Sequence, residues 1–263
     1  MHAKEVRRYS YLLQRYLGDG VMHRFFVSTD CVEKDTIHIR GREFHHLADV
    51  LRAREGDKVR AFDGTGVEYH GTIIKVKSKE AIVRIEFKEV IKEGNAIKIT
   101  LAQAIPKKRK MDDIIEKVTE VGVDTVIPLR TDRTVVDISE GQAGLKIARW
   151  NKIAIEASKQ CGRVRPPNIL GIKRFLEVLD NVNEYELALI PTLYEKEKDL
   201  KSVIRGCKLN SVITFIGPEG DFSEEEVRCA KEAGCRTVSL GNNILKTDTA
   251  AIAVLSILKY ELD

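Results

Sequence analysis

Three observations predict an α/β protein of two domains, a small β-barrel followed by a parallel sheet with helices on both faces. Between Phe25 and about Val90, short β-type segments are divided by turn signals. Beyond Glu93-Gly94-Asn95 strand and helix patterns alternate, as they do where helices cover a parallel sheet. A chain of 263 residues, 43% of them hydrophobic, can bury the core this architecture needs. The expected divisions are an extension at 1–21, the barrel at 22–94 and the α/β domain at 95–263.

Taken in order, residues 1–21 carry Lys4, Arg7, Arg8 and Arg15 against Glu5 and Asp19, so their removal lowers the formal charge by two. Either Met22 is the functional start or the extension is a basic helix that touches RNA. The barrel strands fall at Thr36–Ile39, Lys58–Phe62, Gly71–Val76 and Ala81–Phe87, with turns at Gly56-Asp57 and Asp63-Gly64-Thr65-Gly66. A helix over Arg42–Arg52 places Phe44, Leu47 and Leu51 on one face. In the second domain, strands are expected at Ile97–Ala104, Thr125–Leu129, Leu187–Ile190, Val212–Ile216 and Thr237–Leu240. Met111, Ile114, Ile115, Val118 and Val121 form a helical stripe ending at Gly122, and Ile147, Trp150, Ala154, Ala157 and Cys161 form another. The last helix, Thr249–Leu262, begins apolar all round, so both of its faces need cover, and a subunit interface is one way to provide it.

Composition narrows the function classes. Lys and Arg number 44 against 40 Asp and Glu, so any nucleic-acid footprint must come from local clusters rather than net charge. No apolar run approaches the roughly 18 residues a membrane helix needs, and the amino terminus lacks the apolar core of a signal peptide, which predicts a cytoplasmic protein. The five cysteines form no CxxC pair, which fits reduced thiols and no metal site.

The most informative stretch is Ile216-Gly217-Pro218-Glu219-Gly220-Asp221-Phe222-Ser223, a buried strand running into a glycine-framed turn and a helix that Ser223 and Glu226 open with a capping box. Glycines around a rigid proline let main-chain groups approach a ligand at the carboxyl end of a parallel strand. An isolated GPEG is equally an ordinary βα turn. Two further strand ends, Leu189-Ile190-Pro191-Thr192 and Leu240-Gly241-Asn242-Asn243-Ile244-Leu245, could wall the same crevice, with Thr247 capping the last helix. Neither GxGxxG nor GxxxxGK[ST] occurs, so a dinucleotide or P-loop reading lacks its motif.

His23-Arg24-Phe25-Phe26-Val27, His45-His46 with Val50-Leu51-Arg52, Asp63-Gly64, Glu120-Val121-Gly122-Val123, Gly217-Pro218-Glu219-Gly220 and the Leu240–Ala250 segment occur in this order. In that order they resemble the RsmE family over Met22 to Asp263. The resemblance implies a PUA-like barrel, then a SPOUT domain whose chain is threaded into a trefoil knot, and a homodimer that methylates uridine N3 in 16S ribosomal RNA of the small subunit. It also implies S-adenosylmethionine held by Leu189, Ile190, Pro191 and Thr192, by Ile216, Gly217, Pro218 and Gly220, and by Leu240, Gly241, Asn243, Ile244, Leu245 and Thr247. Family members commonly carry Arg at Lys246 and Glu at Asp248. Lysine keeps the charge but loses the planar fork of donors.

Methyl transfer to a uracil nitrogen needs loss of a weakly acidic proton and in-line approach, so positioning and charge stabilisation carry most of the catalysis. Arg24 and Lys246 are the candidate cations, and Glu219 is either a proton acceptor or a loop tether. The candidates for RNA contact are Arg24, Lys107 and Lys110 in the run Lys107-Lys108-Arg109-Lys110, and Arg133, Arg163 and Arg165; the alternative for such a run is a solvated face. Adjacent His45 and His46 point in different directions on a helix and are read as structural, while His23 is left between packing and RNA contact. The competing readings are a SPOUT enzyme for transfer RNA or a ribose hydroxyl, a binding-only RNA module without cofactor, and a nucleotide-dependent oxidoreductase.

Overall fold

The computed structural model describes residues 23–91, 97–107, 110–134, 138–193 and 199–262. The extension at 1–21, the boundary at Glu93-Gly94-Asn95, and Lys108 and Arg109 lie outside the described residues. The chain divides into two compact units between Ile91 and Lys92.

The first unit is one mixed sheet of five strands: β1 (Arg24–Phe26), β2 (Thr36–Arg40), β3 (Lys58–Phe62), β4 (Val67–Val76) and β5 (Glu80–Val90), in the order β1-β3-β4-β5-β2. Only β1 with β3 is parallel. Side chains alternate between faces, so Phe25, Ile37, Ile39, Val59, Ala61, Tyr69, Ile73, Ala81 and Val83 all enter one core. The predicted helix at Arg42–Arg52 is shorter and mixed. Residues Gly41–His45 form α1, and His46–Val50 form a π turn in which the Leu51 amide reaches the His46 carbonyl at 3.0 Å. Phe44 and Leu47 are buried while Val50 stays exposed, and Arg52, at φ 51°, ends the element. His46 packs edge-on to Phe25, and exposed His45 pairs with Asp49. At Gly71 the β4–β5 register shifts, and an added Cβ would lie 2.3 Å from the Arg84 carbonyl oxygen, so only glycine fits there.

In the second unit every strand pair is parallel. The strands are β6 (Lys98–Ala104), β7 (Thr125–Arg130), β8 (Asn168–Ile169), β9 (Lys173–Arg174), β10 (Leu187–Pro191), β11 (Ser211–Ile216) and β12 (Arg236–Val238). Their order is β12-β10-β11-β6-β7-β8, with β9 also on β7. Central strands read as continuous apolar runs because both faces are covered. One face takes α2 (Lys110–Val121), α3 (Glu140–Cys161), α5 (Leu200–Ile204) and α7 (Thr247–Leu262), through Ile114, Val118, Trp150, Leu200, Leu255 and Leu258. The other takes α4 (Phe175–Leu179) and α6 (Glu224–Glu232), through Phe175, Val178, Phe215, Phe222 and Val227. Helix α2 ends in the expected glycine: Gly122, at φ 106°, turns the chain so that Val123 bonds back to the Val118 carbonyl.

Two expectations need correction. Strand β12 stops at Val238, two residues before the predicted Leu240, and α7 starts at Thr247 rather than Thr249. Thr247 therefore sits inside the helix, and its hydroxyl serves a tertiary bond instead of a cap. No helix among the described residues is long and apolar enough to cross a membrane. All five cysteines are free, and burial pushes the Cys235 thiol up to about 12, so it behaves as a small apolar side chain.

Candidate active site

A cleft of about 230 Å³ opens at the carboxyl ends of β10, β11 and β12, where a parallel sheet offers main-chain groups that no neighbouring strand uses. Pro191, Thr192 and Leu193 form one wall and Ile216, Gly217, Pro218, Glu219 and Asp221 a second. The third runs from Ser239 through Leu240, Gly241, Asn243, Ile244, Leu245 and Lys246 to Thr247 and Ala250. Its reversal depends on Gly241, at φ 119°, a conformation that other residues rarely adopt.

Buried polar contacts lock the walls together. The Thr247 hydroxyl donates to the Gly217 carbonyl at 2.6 Å and accepts from Gln103 Nε2 at 3.0 Å, joining α7, the loop after β11 and the end of β6. The chain thus leaves the edge strand β12 and crosses back over the ends of β10 and β11 to enter α7. Ser223 and Glu226 form the predicted reciprocal cap of α6. Glu226 also accepts from the Asp132 amide at 2.9 Å, and Ser223 donates to Asp132 Oδ2, which ties the loop after β7 to the same corner.

Glu219 accepts from the Lys107 amide at 3.2 Å and pairs with Lys110 Nζ at 3.3 Å. Burial pushes its carboxyl up, but bonds from its own main chain, Lys110 and Lys107 outweigh that and leave it below the usual carboxylate range. An anion held this way at the amino end of α2 suits a tether better than a proton acceptor, whose pKa should lie near the working pH. Lys246 is exposed on the lip of the cleft, and its ammonium has no hydrogen-bond or ion-pair partner among the described residues.

Other predicted residues lie elsewhere. Leu189 and Ile190 are fully buried within β10 and do not line the cleft, and Gly220 contributes only a carbonyl that accepts from Arg133 Nη1 at 2.6 Å. Arg24, in the first unit, bonds Glu68 through Nε at 2.7 Å and stacks its guanidinium 4.6 Å from the centre of the Phe62 ring. Arg163 donates to the Thr119 and Val123 carbonyls at 3.0 and 2.7 Å, capping α2 from within the fold. Arg165 is half-buried, whereas Lys107 and Arg133 are exposed near the Glu219 corner. Leu193, Asp221, Ser239 and Ala250 line the cleft without having been singled out. Ligand atoms of Glu68, His70 and Glu89 lie within 4.8 Å of one another in the first unit, a metal-like grouping, but the Arg24 guanidinium already supplies Glu68 with a cation.

The domain models of known families match this arrangement: an RNA methyltransferase domain over residues 93–259 and an RNA methyltransferase PUA domain over 39–86. Fold and cleft therefore define an RNA methyltransferase with a PUA-like first domain and a parallel-sheet second domain of the SPOUT kind. The chain is 30% identical to the ribosomal RNA small subunit methyltransferase E of Bacillus subtilis, over 92% of this chain and 98% of that one. It is also 30% identical to the enzyme of that name from Rickettsia conorii, over 89% and 93%. The Neisseria gonorrhoeae ribosomal RNA small subunit methyltransferase E, solved bound to S-adenosyl methionine, superposes with a TM-score of 0.82 at 29% identity, covering 92% of this chain and 98% of that one. This chain belongs to the ribosomal RNA small subunit methyltransferase E family.

Proposed function

We propose that this protein transfers a methyl group from S-adenosylmethionine to N3 of a uridine in 16S ribosomal RNA, with the small ribosomal subunit as substrate in the cytoplasm. The observation that carries the reading is the three-walled cleft at the ends of β10, β11 and β12, in a chain of this family. Its chemistry suits the cofactor. Leu193, Ile216, Leu240, Leu245 and Ala250 offer apolar surface for a flat base, the main chain around Gly217 and Gly241 offers polar edges, and Glu219 places a carboxylate where a sulfonium cation is welcome. Pro191, Thr192, Ile216, Gly217, Pro218, Leu240, Gly241, Asn243, Ile244, Leu245 and Thr247 would hold it. When bound, S-adenosylmethionine supplies the electrophilic methyl group.

The chain's own contribution is positioning and charge. Of the two candidate cations, Lys246 lines the cleft with an ammonium unengaged among the described residues, while Arg24 is committed to Glu68 and Phe62. Lys246 stabilises the negative charge that spreads to the uracil carbonyls as the N3 proton leaves. Lys246→Met is expected to lower kcat by about 100-fold with little change in cofactor Kd, measured by single-turnover transfer and calorimetry. Glu219→Gln is expected to weaken cofactor binding while the single-turnover rate stays near normal. A rate loss of about 100-fold or more would instead make Glu219 the proton acceptor. Lys107, Lys110 and Arg133 surround the Glu219 corner and would meet RNA phosphates. Neutralising Lys107 and Lys110 should reduce the slope of log affinity against log salt by about one to two, and an unchanged slope would remove them from the RNA footprint.

The working unit is a homodimer. Helix α7 buries Ala251, Val254, Leu255 and Leu258 but leaves Ile257 and Tyr260 exposed, so its second apolar face is open to another copy, which light scattering would detect. The experiment that tests the function is methyl transfer from labelled cofactor to small subunits lacking the modification, followed by mass mapping of the nucleoside. Appearance of 3-methyluridine at one 16S position is expected. Transfer to transfer RNA alone, or cofactor binding without transfer, would overturn the reading.

A further inference from the structure

We infer that Asp221 is a positioning residue that sets the spacing of the cofactor cleft's walls, an inference that rests on the cofactor reading above. Asp221 is one of only two non-glycine residues among those described with positive φ, at 61°, a backbone state glycine adopts far more readily. Its side chain explains why an aspartate holds the position. Oδ2 accepts from the Leu193 amide at 2.8 Å and from the Thr192 hydroxyl at 3.1 Å, both in the wall after β10. Oδ1 accepts from the Phe222 amide at 2.8 Å, and the Asp221 amide donates to the Pro218 carbonyl at 3.0 Å, which folds the second wall on itself.

The clamp extends to the third wall as well. The Thr192 amide donates to the Val238 carbonyl at 3.2 Å, immediately before the Ser239–Lys246 loop. One carboxylate therefore gathers the exits of β10 and β11 and, through Thr192, that of β12. Gly217 packs directly beneath it: an added Cβ there would stand 3.1 Å from Asp221 Oδ1 and 3.2 Å from its Cα. With its two oxygens shared among three donors on two loops, the carboxylate holds the loops at a fixed separation before any ligand arrives, which lowers the ordering cost of binding.

The test separates this role from a residue that is merely tolerated. Asp221→Gly fits the backbone better but has no carboxylate, whereas Asp221→Asn tolerates the same backbone with a single acceptor oxygen. S-adenosylmethionine titrated by calorimetry should bind Asp221→Gly at least tenfold more weakly and Asp221→Asn between that variant and wild type. The apo Asp221→Gly protein should stay folded with a single cooperative melt, while its Leu193 amide exchanges hydrogen faster by a larger factor than the amides of the sheet core. When cofactor concentration is varied, the loss should appear mainly in the cofactor KM, with kcat at saturation near the wild-type value. Wild-type affinity and wild-type Leu193 exchange in Asp221→Gly would overturn the clamp, as would a variant whose affinity loss is matched by general unfolding and equal exchange gains throughout. Failure of the wild-type protein to bind S-adenosylmethionine would overturn the cofactor reading itself and is distinct from either result.

Discussion

Gly71→Ala is expected to remove most of the first unit's stability, about 3 kcal/mol or more. A methyl group at that position would lie 2.3 Å from the Arg84 carbonyl oxygen and 2.7 Å from Val83 Cγ1, and the nearer contact is with main chain that cannot rotate away. The pairing of β4 with β5 would have to open where it already slips register. Overpacking a core commonly costs about 1–3 kcal/mol, and a clash with rigid backbone belongs at or beyond the upper end. A unit of this size has only about 5 kcal/mol to lose. Limited proteolysis should therefore cut the variant within β4 and β5 under conditions where the wild-type chain resists, and the parallel-sheet unit should persist as the product. A variant that melts and resists cleavage like wild type would show that the register shift accommodates a side chain.

The second large effect is expected at Thr247. Its hydroxyl is buried and works in both directions, accepting from Gln103 and donating to the Gly217 carbonyl. Thr247→Val keeps the shape and removes the hydroxyl, leaving a buried amide hydrogen and a buried carbonyl unpaired. At about 1–3 kcal/mol for each abandoned group, the loss should be about 2–6 kcal/mol in urea unfolding. Cofactor affinity should fall with it, because Gly217 lines the cleft. Adding Gln103→Leu removes one of the stranded groups, so the double variant should regain part of the loss. Strict additivity of the two substitutions would mean that the bonds are not coupled.

These residues also mark how far sequence reading reached. Strands β6, β7, β10 and β11 were legible to within a residue or so because buried parallel strands are unbroken apolar runs bounded by turn residues, and β3 because its polar and apolar residues alternate between turns. The Ser223–Glu226 box was legible because its partners lie three residues apart. Thr247 presented the same local signal for a cap, yet its partner Gln103 lies 144 residues away, a distance no spacing rule spans. Arg163 counted as a cation for RNA, but its guanidinium turns inward to the end of α2. Leu189 and Ile190 belong to the segment whose pattern marks a strand end, yet both are fully buried inside β10, because an unbroken apolar run does not show which residue first reaches the open end of the sheet. Asp221 carried one signal, an acidic residue immediately after glycine in a turn, and its contacts to Thr192 and Leu193 became visible only in three dimensions.

The link from Gln103 through Thr247 to Gly217 has a consequence for synthesis. Translation delivers the strands that carry the cleft's walls in order, and Thr247, which locks them, follows all three in the chain. A chain stalled before Thr247 can already hold β6, β10 and β11, but it lacks the hydroxyl that closes the Gly217 turn. Closure of the cleft is thereby tied to synthesis of Thr247, and a shorter product would hold its walls without the lock.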